Sequence, residues 1–254
     1  MFKFFSKTAA QDKISEKSAN VNIIDNNLVN YISHEVRTPI HGVANIALFL
    51  HENWDNIDDQ ERKKYLAIIS NNSQRLINFT NELLDLSKFQ AGKMLFEFKE
   101  INILAIINEI FKNFQNMTLV NKDLEIIFNS NITESWIMGD EARMIQVFNN
   151  LFNNAIKYTS KGSIIAELNI IYLNEQKYVE FSLTDTGVGI PEQELESIFE
   201  IFARSSRTNL SISGSGIGLS ICKEIIVAHE GSIKAENNLE SGSKFTFVIP
   251  TIVL

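Results

Sequence analysis

Apolar residues recur at helical spacing from about Ile23 to Leu50, and the stretch "HENWDNIDDQE" that follows reads as a turn with a helix start. In the next helix Tyr65, Ile69, Asn72, Leu76, Phe79, Leu83 and Leu86 alternate steps of four and three, the seam of a coiled coil or bundle. Asn72 is the polar member of that seam and a candidate for setting its register. Two long helices with a short connection form an antiparallel hairpin, and one hairpin leaves an apolar face uncovered. Pairing two copies into a four-helix bundle covers it, so the pattern predicts a homodimer. After "SKFQAGK" the period changes. Strand-like runs ("MLFEFKEI", "LEIIFNS", "SIIAELNIIYL", "YVEFSLTD", "SKFTFVIP") interleave with helices, which predicts a second, α+β domain. With the boundary near Gly92, the chain divides into an N-terminal tail (1–22), a helical hairpin (23–92) and the α+β domain (93–254).

The stretch "YISHEVRTPIHGV" (31–43) sets a proline inside the first helix. Pro39 has no N–H to donate, and its ring crowds the carbonyl four residues back, on Glu35. The predicted bend falls on the turn that carries His34 and Glu35, which exposes His34 and lets the helix hinge there.

Composition narrows the functional classes. With 44% hydrophobic residues in 254, the chain can bury a sizeable core. A net charge of -8 without a basic block argues against nucleic acid as a partner. One cysteine, Cys222, rules out a disulfide framework and reads as a small buried hydrophobe in a reducing compartment. No apolar run approaches the roughly 18 residues of a membrane-spanning helix, and no signal peptide opens the chain, so a cytoplasmic protein is expected. "MFKFFSK" at the start reads as a frayed terminus, with weak membrane-surface contact as the second reading.

Five of the eleven glycines fall in two clusters, "DTGVGIP" (Gly187, Gly189) and "GSGIGL" (Gly214, Gly216, Gly218). Glycine at every second position lets backbone approach a ligand and offers N–H groups to phosphates, most effectively where a helix begins. No parallel βαβ unit with a downstream ribose-binding acid accompanies them, which disfavours a dinucleotide fold. The helix "RMIQVFNNLFNNAIKYTS" is apolar on most sides, yet Gln146, Asn150, Asn154 and Lys157 share one stripe, four, four and three residues apart. An amide stripe on a hydrophobic helix implies something polar opposite it, because an unpartnered buried amide is costly. An asparagine oxygen is a hard ligand suited to Mg²⁺; capping or internal hydrogen bonding is the alternative.

These segments resemble the transmitter core of sensor histidine kinases over roughly Ile23 to Pro250. "SHEVRTP" is similar to the family's H box, "NNLFNNAIKYT" to its N box, "DTGVGIP" to G1, "IFEIFAR" to the F box and "GSGIGL" to G2, in family order. The resemblance implies a multidomain fold: an all-α hairpin forming a dimeric four-helix bundle, then an α+β two-layer sandwich of the Bergerat or GHKL type. It implies ATP and Mg²⁺ as cofactors and a response regulator receiver domain as partner. By position, it makes His34 the phosphoacceptor, Glu35 the neighbouring acid and base, and Thr38 the residue tied to dephosphorylation of the partner. It makes Asn154 the Mg²⁺ ligand, puts Asn150 and Lys157 near the phosphates and Tyr158 beside the base. Asp185 accepts from the adenine amino group, with Gly187 and Gly189 lining that pocket. Arg204 approaches the γ-phosphate, and Gly214, Gly216 and Gly218 hinge a lid spanning Ser205 to Ser213.

The expected activity is ATP-dependent autophosphorylation at His34 and transfer to a regulator aspartate, with phosphatase activity in the same architecture. A degenerate transmitter acting as a phosphatase or a partner-binding scaffold is the alternative; intact Asn154, Asp185 and glycine clusters count against it. A GHKL ATPase outside the kinases is disfavoured by the H box and hairpin. "HEVRT" lacks the second histidine of a zincin, and His41, on the same face as His34, brings no acidic or cysteine ligand with it. His41 also stands where the family often has asparagine. His51 and His229 read as surface or helix-end residues. With about twenty residues ahead of the hairpin, signals come either from an upstream sensor protein or from the rest of a longer chain.

Overall fold

A computed structural model describes residues 8–118, 123–207, 214–238 and 241–252, with side chains from residue 29 onward. The opening "MFKFFSK" and most of the Ser205 to Ser213 lid lie outside the described residues. Two compact units, Met1–Asn81 and Glu82–Leu254, divide the chain inside its second helix. No helix among the described residues is long and apolar enough to cross a membrane.

In the first unit α1 (Thr8–Asn53) starts well ahead of the predicted Ile23 and runs without interruption through Pro39. The connection is short because both its ends are held. Asp58 Oδ1 accepts from the Glu61 N–H at 2.8 Å, an N-cap for α2 (Asp59–Gln90). The Arg62 guanidinium lies 4.7 Å over the Trp54 ring and donates to the Trp54 carbonyl. Tyr31 meets Phe79 while Phe49 meets Tyr65, which makes the helices antiparallel. Every seam position predicted in α2 is half-buried or buried, while Leu66, Ile68 and Ile77 beside it are exposed. Asn72 donates to its own helix at Ile68 (2.9 Å), and Gly42 of α1 leaves just enough room for its amide, 3.2 Å from where a Cβ would stand.

The second unit has two layers. A five-stranded sheet runs in the order β2 (Leu124–Ser130), β4 (Gly162–Leu173), β5 (Gln176–Asp185), β7 (Ser243–Pro250), β6 (Ser232–Asn237), parallel at β2·β4 and antiparallel elsewhere. Helices α3 (Ile103–Thr118), α4 (Glu141–Tyr158) and α5 (Gly218–Ala228) pack with it, and β1 (Lys99–Asn102) pairs with β3 (Trp136–Gly139) in a separate ribbon. Asn102 caps α3, its Oδ1 accepting from the Leu104 and Ala105 N–H groups. Ile164, Ala166 and Leu168 of β4 alternate inward, as do Val179, Phe181 and Leu183 of β5. Phe148, Phe181 and Phe247 meet at centroid distances of 5.0 to 5.7 Å, and Phe114 stacks on Phe152 at 5.0 Å. Truncating any of these buried rings to alanine would cost about 3–5 kcal/mol.

Three local expectations change. Of "MLFEFKEI" only Lys99 onward pairs as strand. Its earlier part is tied down otherwise: Glu97 N–H donates to Asp140 Oδ2, and Phe96 and Phe98 pack on the His229 ring at 6.0 and 5.0 Å. Strands β3 and β6 were not among the predicted runs, being four and six residues long. His229 does cap the end of α5, but it is buried rather than at the surface. Its Nε2 accepts from the Asp140 N–H (2.9 Å), which puts the ring proton on Nδ1, 2.7 Å from the Ile225 carbonyl.

Candidate active site

On α1 the sequence Ser-His-Glu puts adjacent side chains on different faces of one turn. The His34 imidazole is 76% exposed, while Glu35 is only 9% exposed, between His34 Nδ1 and Arg75 Nη2, each 3.5 Å away. A carboxylate on the Nδ1 side favours the tautomer with its proton there and leaves the Nε2 lone pair toward solvent. Arg75 fixes the carboxylate from α2. Thr38, one turn on, donates its hydroxyl to the His34 carbonyl at 3.1 Å. This is the back-bond that helical threonines commonly make, and Pro39 follows it, buried.

In the second unit the site grows from the end of α4 and the end of β5. Asp140 caps α4 through the Arg143 N–H. Along its polar stripe, the Gln146 amide is held by Asp85 (2.9 Å) and Arg143 (2.8 Å), and Asn150 donates to the Gly218 carbonyl (3.2 Å). Asn154, half-buried between them and Lys157, has no hydrogen-bond partner among the described residues. Lys157 donates to the Tyr158 hydroxyl (2.8 Å) and lies 4.6 Å over that ring.

Asp185 is 4% exposed at the end of β5. Oδ1 accepts from the Gly187 N–H (2.8 Å) and from Thr159 Oγ1 (3.5 Å), while Oδ2 accepts from Ser243 Oγ. An ionised carboxylate has about four acceptor positions, so one remains open. A Cβ on Gly187 would stand 2.3 Å from the Tyr158 carbonyl oxygen and 2.8 Å from Asp185 Oδ1, so no larger residue fits between α4 and β5 here. Gly189 continues the loop, and Ile190 exchanges two hydrogen bonds with the Asn237 amide of β6 (3.0 and 2.8 Å).

The F and G2 segments are strapped together. Phe202 N–H donates to the Gly216 carbonyl (2.9 Å), and at Gly216, with φ +64, a Cβ would meet Phe202 and Ala203 backbone at 2.8 Å. Gly214 passes so close to Lys157 Nζ that a Cβ would stand 2.4 Å away, and Gly218 opens α5 beside Asn150. Arg204, two residues from the strap, is exposed. Cys222 is buried against α4, where burial pushes its thiol up to about 12, so it carries no reactive thiolate.

The second unit therefore gathers Asn150, Asn154, Lys157, Tyr158, Gly187, Asp185 and the second glycine cluster around the junction of α4, β5 and α5. Sequence reasoning missed Thr159 and Ser243, which complete the Asp185 network, and Asp140 with His229. Ser243 and Thr159 stood in the quoted "SGSKFTFVIP" and "NNLFNNAIKYT" and His229 was read only as a surface or helix-end residue; none signals its role locally, because the Thr159–Asp185 and Asp140–His229 partners are 26 and 89 residues apart.

A sheet backed by three helices, with a glycine-rich loop at the end of one strand and a second at the start of a helix, defines an ATP-binding class of domain joined to a helical hairpin. Residues 25–92 match the His Kinase A (phospho-acceptor) domain, and residues 139–252 match the histidine kinase-, DNA gyrase B-, and HSP90-like ATPase family. The autoinducer 2 sensor kinase/phosphatase LuxQ of Vibrio cholerae is 33% identical over 224 residues, 86% of this chain and 25% of LuxQ. Sensor histidine kinase WalK of Bacillus subtilis is 32% identical over 221 residues, 86% of this chain and 35% of WalK. The chain thus spans a quarter to about a third of the length of these relatives. Histidine kinase ThkA, solved in complex with the response regulator protein TrrA, superposes with a TM-score of 0.69 at 28% identity, covering 98% of this chain and 68% of that one. Full-length ShkA in complex with AMPPNP shares the fold, with a TM-score of 0.63 at 24% identity over 90% of this chain and 46% of ShkA. The chain belongs to the sensor histidine kinases and carries their transmitter core, phosphoacceptor hairpin and ATP-binding domain together.

Proposed function

We propose that the chain is an ATP-dependent, autophosphorylating protein histidine kinase that passes the phosphoryl group from His34 to an aspartate of a response regulator receiver domain. The observation that carries this reading is the pairing of an exposed His34 with a buried Glu35 on its Nδ1 side. Attack by a neutral imidazole needs a free nitrogen lone pair, which a carboxylate at the other nitrogen helps to keep available. Glu35 then stabilises the positive charge that develops on the ring.

In this reading Asp185 uses its open acceptor position for the adenine amino group, Tyr158 flanks the base, and Gly187 and Gly189 make room for it. Asn150, Lys157, Arg204 and the Gly214, Gly216 and Gly218 backbone face the phosphates. The donor set fits Mg²⁺. Asn154 offers a hard oxygen that no described residue claims, on a stripe whose other amides are satisfied, and a magnesium site takes few protein ligands. When bound, the ion supplies charge neutralisation for phosphoryl transfer, and the remaining work of this chain is positioning.

The same hairpin supports phosphatase action toward the regulator, for which the Thr38 hydroxyl must leave the His34 carbonyl to hold a water. We place the tail at 1–22, the hairpin at 23–92 and the catalytic domain at 93–254, with two chains pairing through the exposed apolar faces of their hairpins. A free, buried Cys222 accords with a cytoplasmic setting.

Incubation with γ-labelled ATP and Mg²⁺ should give acid-labile, alkali-stable label in the wild type and none in His34→Gln, with nucleotide binding nearly intact. Undiminished labelling of the variant would move the acceptor elsewhere. A labelled adduct stable to acid would exclude phosphohistidine.

A further inference from the structure

The second unit begins with the last turns of α2, and two carboxylates there reach into the nucleotide-binding elements. Glu82 Oε2 accepts from Ser215 Oγ, inside the second glycine cluster, and Ser215 Oγ in turn accepts from the Ile217 N–H ahead of α5 (3.2 Å). The Lys157 ammonium attracts the same carboxylate. Three residues on, Asp85 Oδ2 accepts from Arg143 Nη1 and Gln146 Nε2, both at 2.9 Å, on the first turns of α4. Neither acid belongs to the motifs above.

Glu82 thus has a lysine ammonium and a loop hydroxyl as partners, and that hydroxyl is itself tied to the N–H ahead of α5. These are the kinds of group that hold a phosphate. The cost of placing the carboxylate there is visible: burial pushes its carboxyl up, while the Ser215 hydrogen bond and the Lys157 charge pull the other way. A nucleotide phosphate arriving at Lys157 and the glycine cluster would meet an anion already bound to them, and two anions cannot share such a site without strong repulsion.

We propose that Glu82 is an internal anionic competitor of the nucleotide phosphates, so that the Glu82–Asp85 turn is a latch that nucleotide binding opens. The proposal rests on the ATP-binding reading of Lys157 and the Gly214–Gly218 cluster. Glu82 gives up Ser215 and Lys157 as the phosphates take them. Asp85, whose partners lie on the first turns of α4, away from Lys157 at its end, is the hinge side of the latch.

The test is titration of the full chain with Mg²⁺·ATP by calorimetry. Glu82→Gln keeps the side chain's shape and helix propensity and can still accept from Ser215, so it removes only the charge. The variant should bind ATP at least about fivefold more tightly, roughly 1 kcal/mol. Glu224→Gln, exposed on α5, makes the same change in net charge and should leave affinity unaltered. Equal affinity of Glu82→Gln and wild type, or weaker binding by the variant, overturns the latch and leaves the ATP site standing. Absence of ATP binding in wild type and variant alike overturns the site and the latch with it. An equal gain in Glu224→Gln would assign the effect to overall charge and also overturn the latch.

Discussion

Asp185→Asn separates what the buried carboxylate does for the fold from what it does for the ligand. The wild-type side chain accepts three hydrogen bonds, from Gly187 N–H, Thr159 Oγ1 and Ser243 Oγ, two on Oδ1 and one on Oδ2. An asparagine has one acceptor oxygen. If it serves Gly187, the amide NH₂ faces the Ser243 hydroxyl, which can rotate to accept; if it serves Ser243, two N–H groups confront each other at Gly187. The first arrangement wins, so the expected loss of stability is at the low end for a disturbed buried network, about 1 kcal/mol. It also turns the open position from an acceptor into a donor. Losing a hydrogen bond to a charged acceptor is worth about 1.5–3 kcal/mol, which corresponds to a roughly ten- to hundredfold weaker ATP affinity. Guanine presents a carbonyl oxygen where adenine presents its amino group, so the same change should improve GTP binding relative to ATP. Calorimetric titration with both nucleotides, beside thermal unfolding without nucleotide, reads the two effects apart. An unchanged ATP:GTP preference at unchanged melting temperature would refute the assignment of Asp185 to the base.

Asn154→Ala should weaken binding of ATP in the presence of Mg²⁺ while leaving metal-free nucleotide binding and the melting temperature nearly unchanged, since its amide has no partner among the described residues; an equal loss with and without Mg²⁺ would show that the stripe is structural. Thr38→Ala removes a back-bond to His34 and adds helix propensity, so hairpin stability should hold or rise by up to about 0.7 kcal/mol. Self-labelling should survive in that variant, and dephosphorylation of a phosphorylated regulator in ADP should fall; equal rates of phosphate release would remove Thr38 from that step. His229 is held neutral, because burial lowers the affinity of its ring for protons against the opposing pull of the Ile225 carbonyl and Asp140. Below about pH 6.5 the unfolded chain takes up a proton that the folded chain refuses, so this contribution is complete above that pH and is lost as pH falls, by at most about 1.4 kcal/mol per unit. Between pH 7 and 5.5 the wild type should therefore lose more melting temperature than His229→Gln, which keeps an acceptor for the Asp140 N–H; parallel slopes would contradict this.

What could be read from the chain differs between local and distant order. The α2 seam was legible because a step of four and three fixes a face whatever lies opposite, and its positions are the shielded ones in the hairpin. Strands β4, β5 and β7 were legible because their runs are long and pair with one another. "MLFEFKEI" has the same alternation, yet Phe96 and Phe98 find the His229 ring at the C-terminal cap of α5 instead of a neighbouring strand, and periodicity cannot distinguish those two ways of burying a side chain. His229 was misplaced for a related reason. A histidine at the end of a helix is normally exposed, and here its burial depends on the Asp140 N–H, 89 residues earlier in the chain. The glycine clusters and the amide stripe stood out as candidates because their chemistry is unusual for the positions they occupy. Glu82 and Asp85 announced nothing, since acidic residues on an amphipathic helix are the commonest way of keeping one face wet. Only the fold, by bringing α4 and the second glycine cluster against that face, turns two ordinary solubilising charges into ligands for Arg143, Gln146 and Ser215. Candidate site residues can thus be singled out from motif and residue type, whereas residues whose partners lie far along the chain are chosen by geometry and have to be sought in the structure.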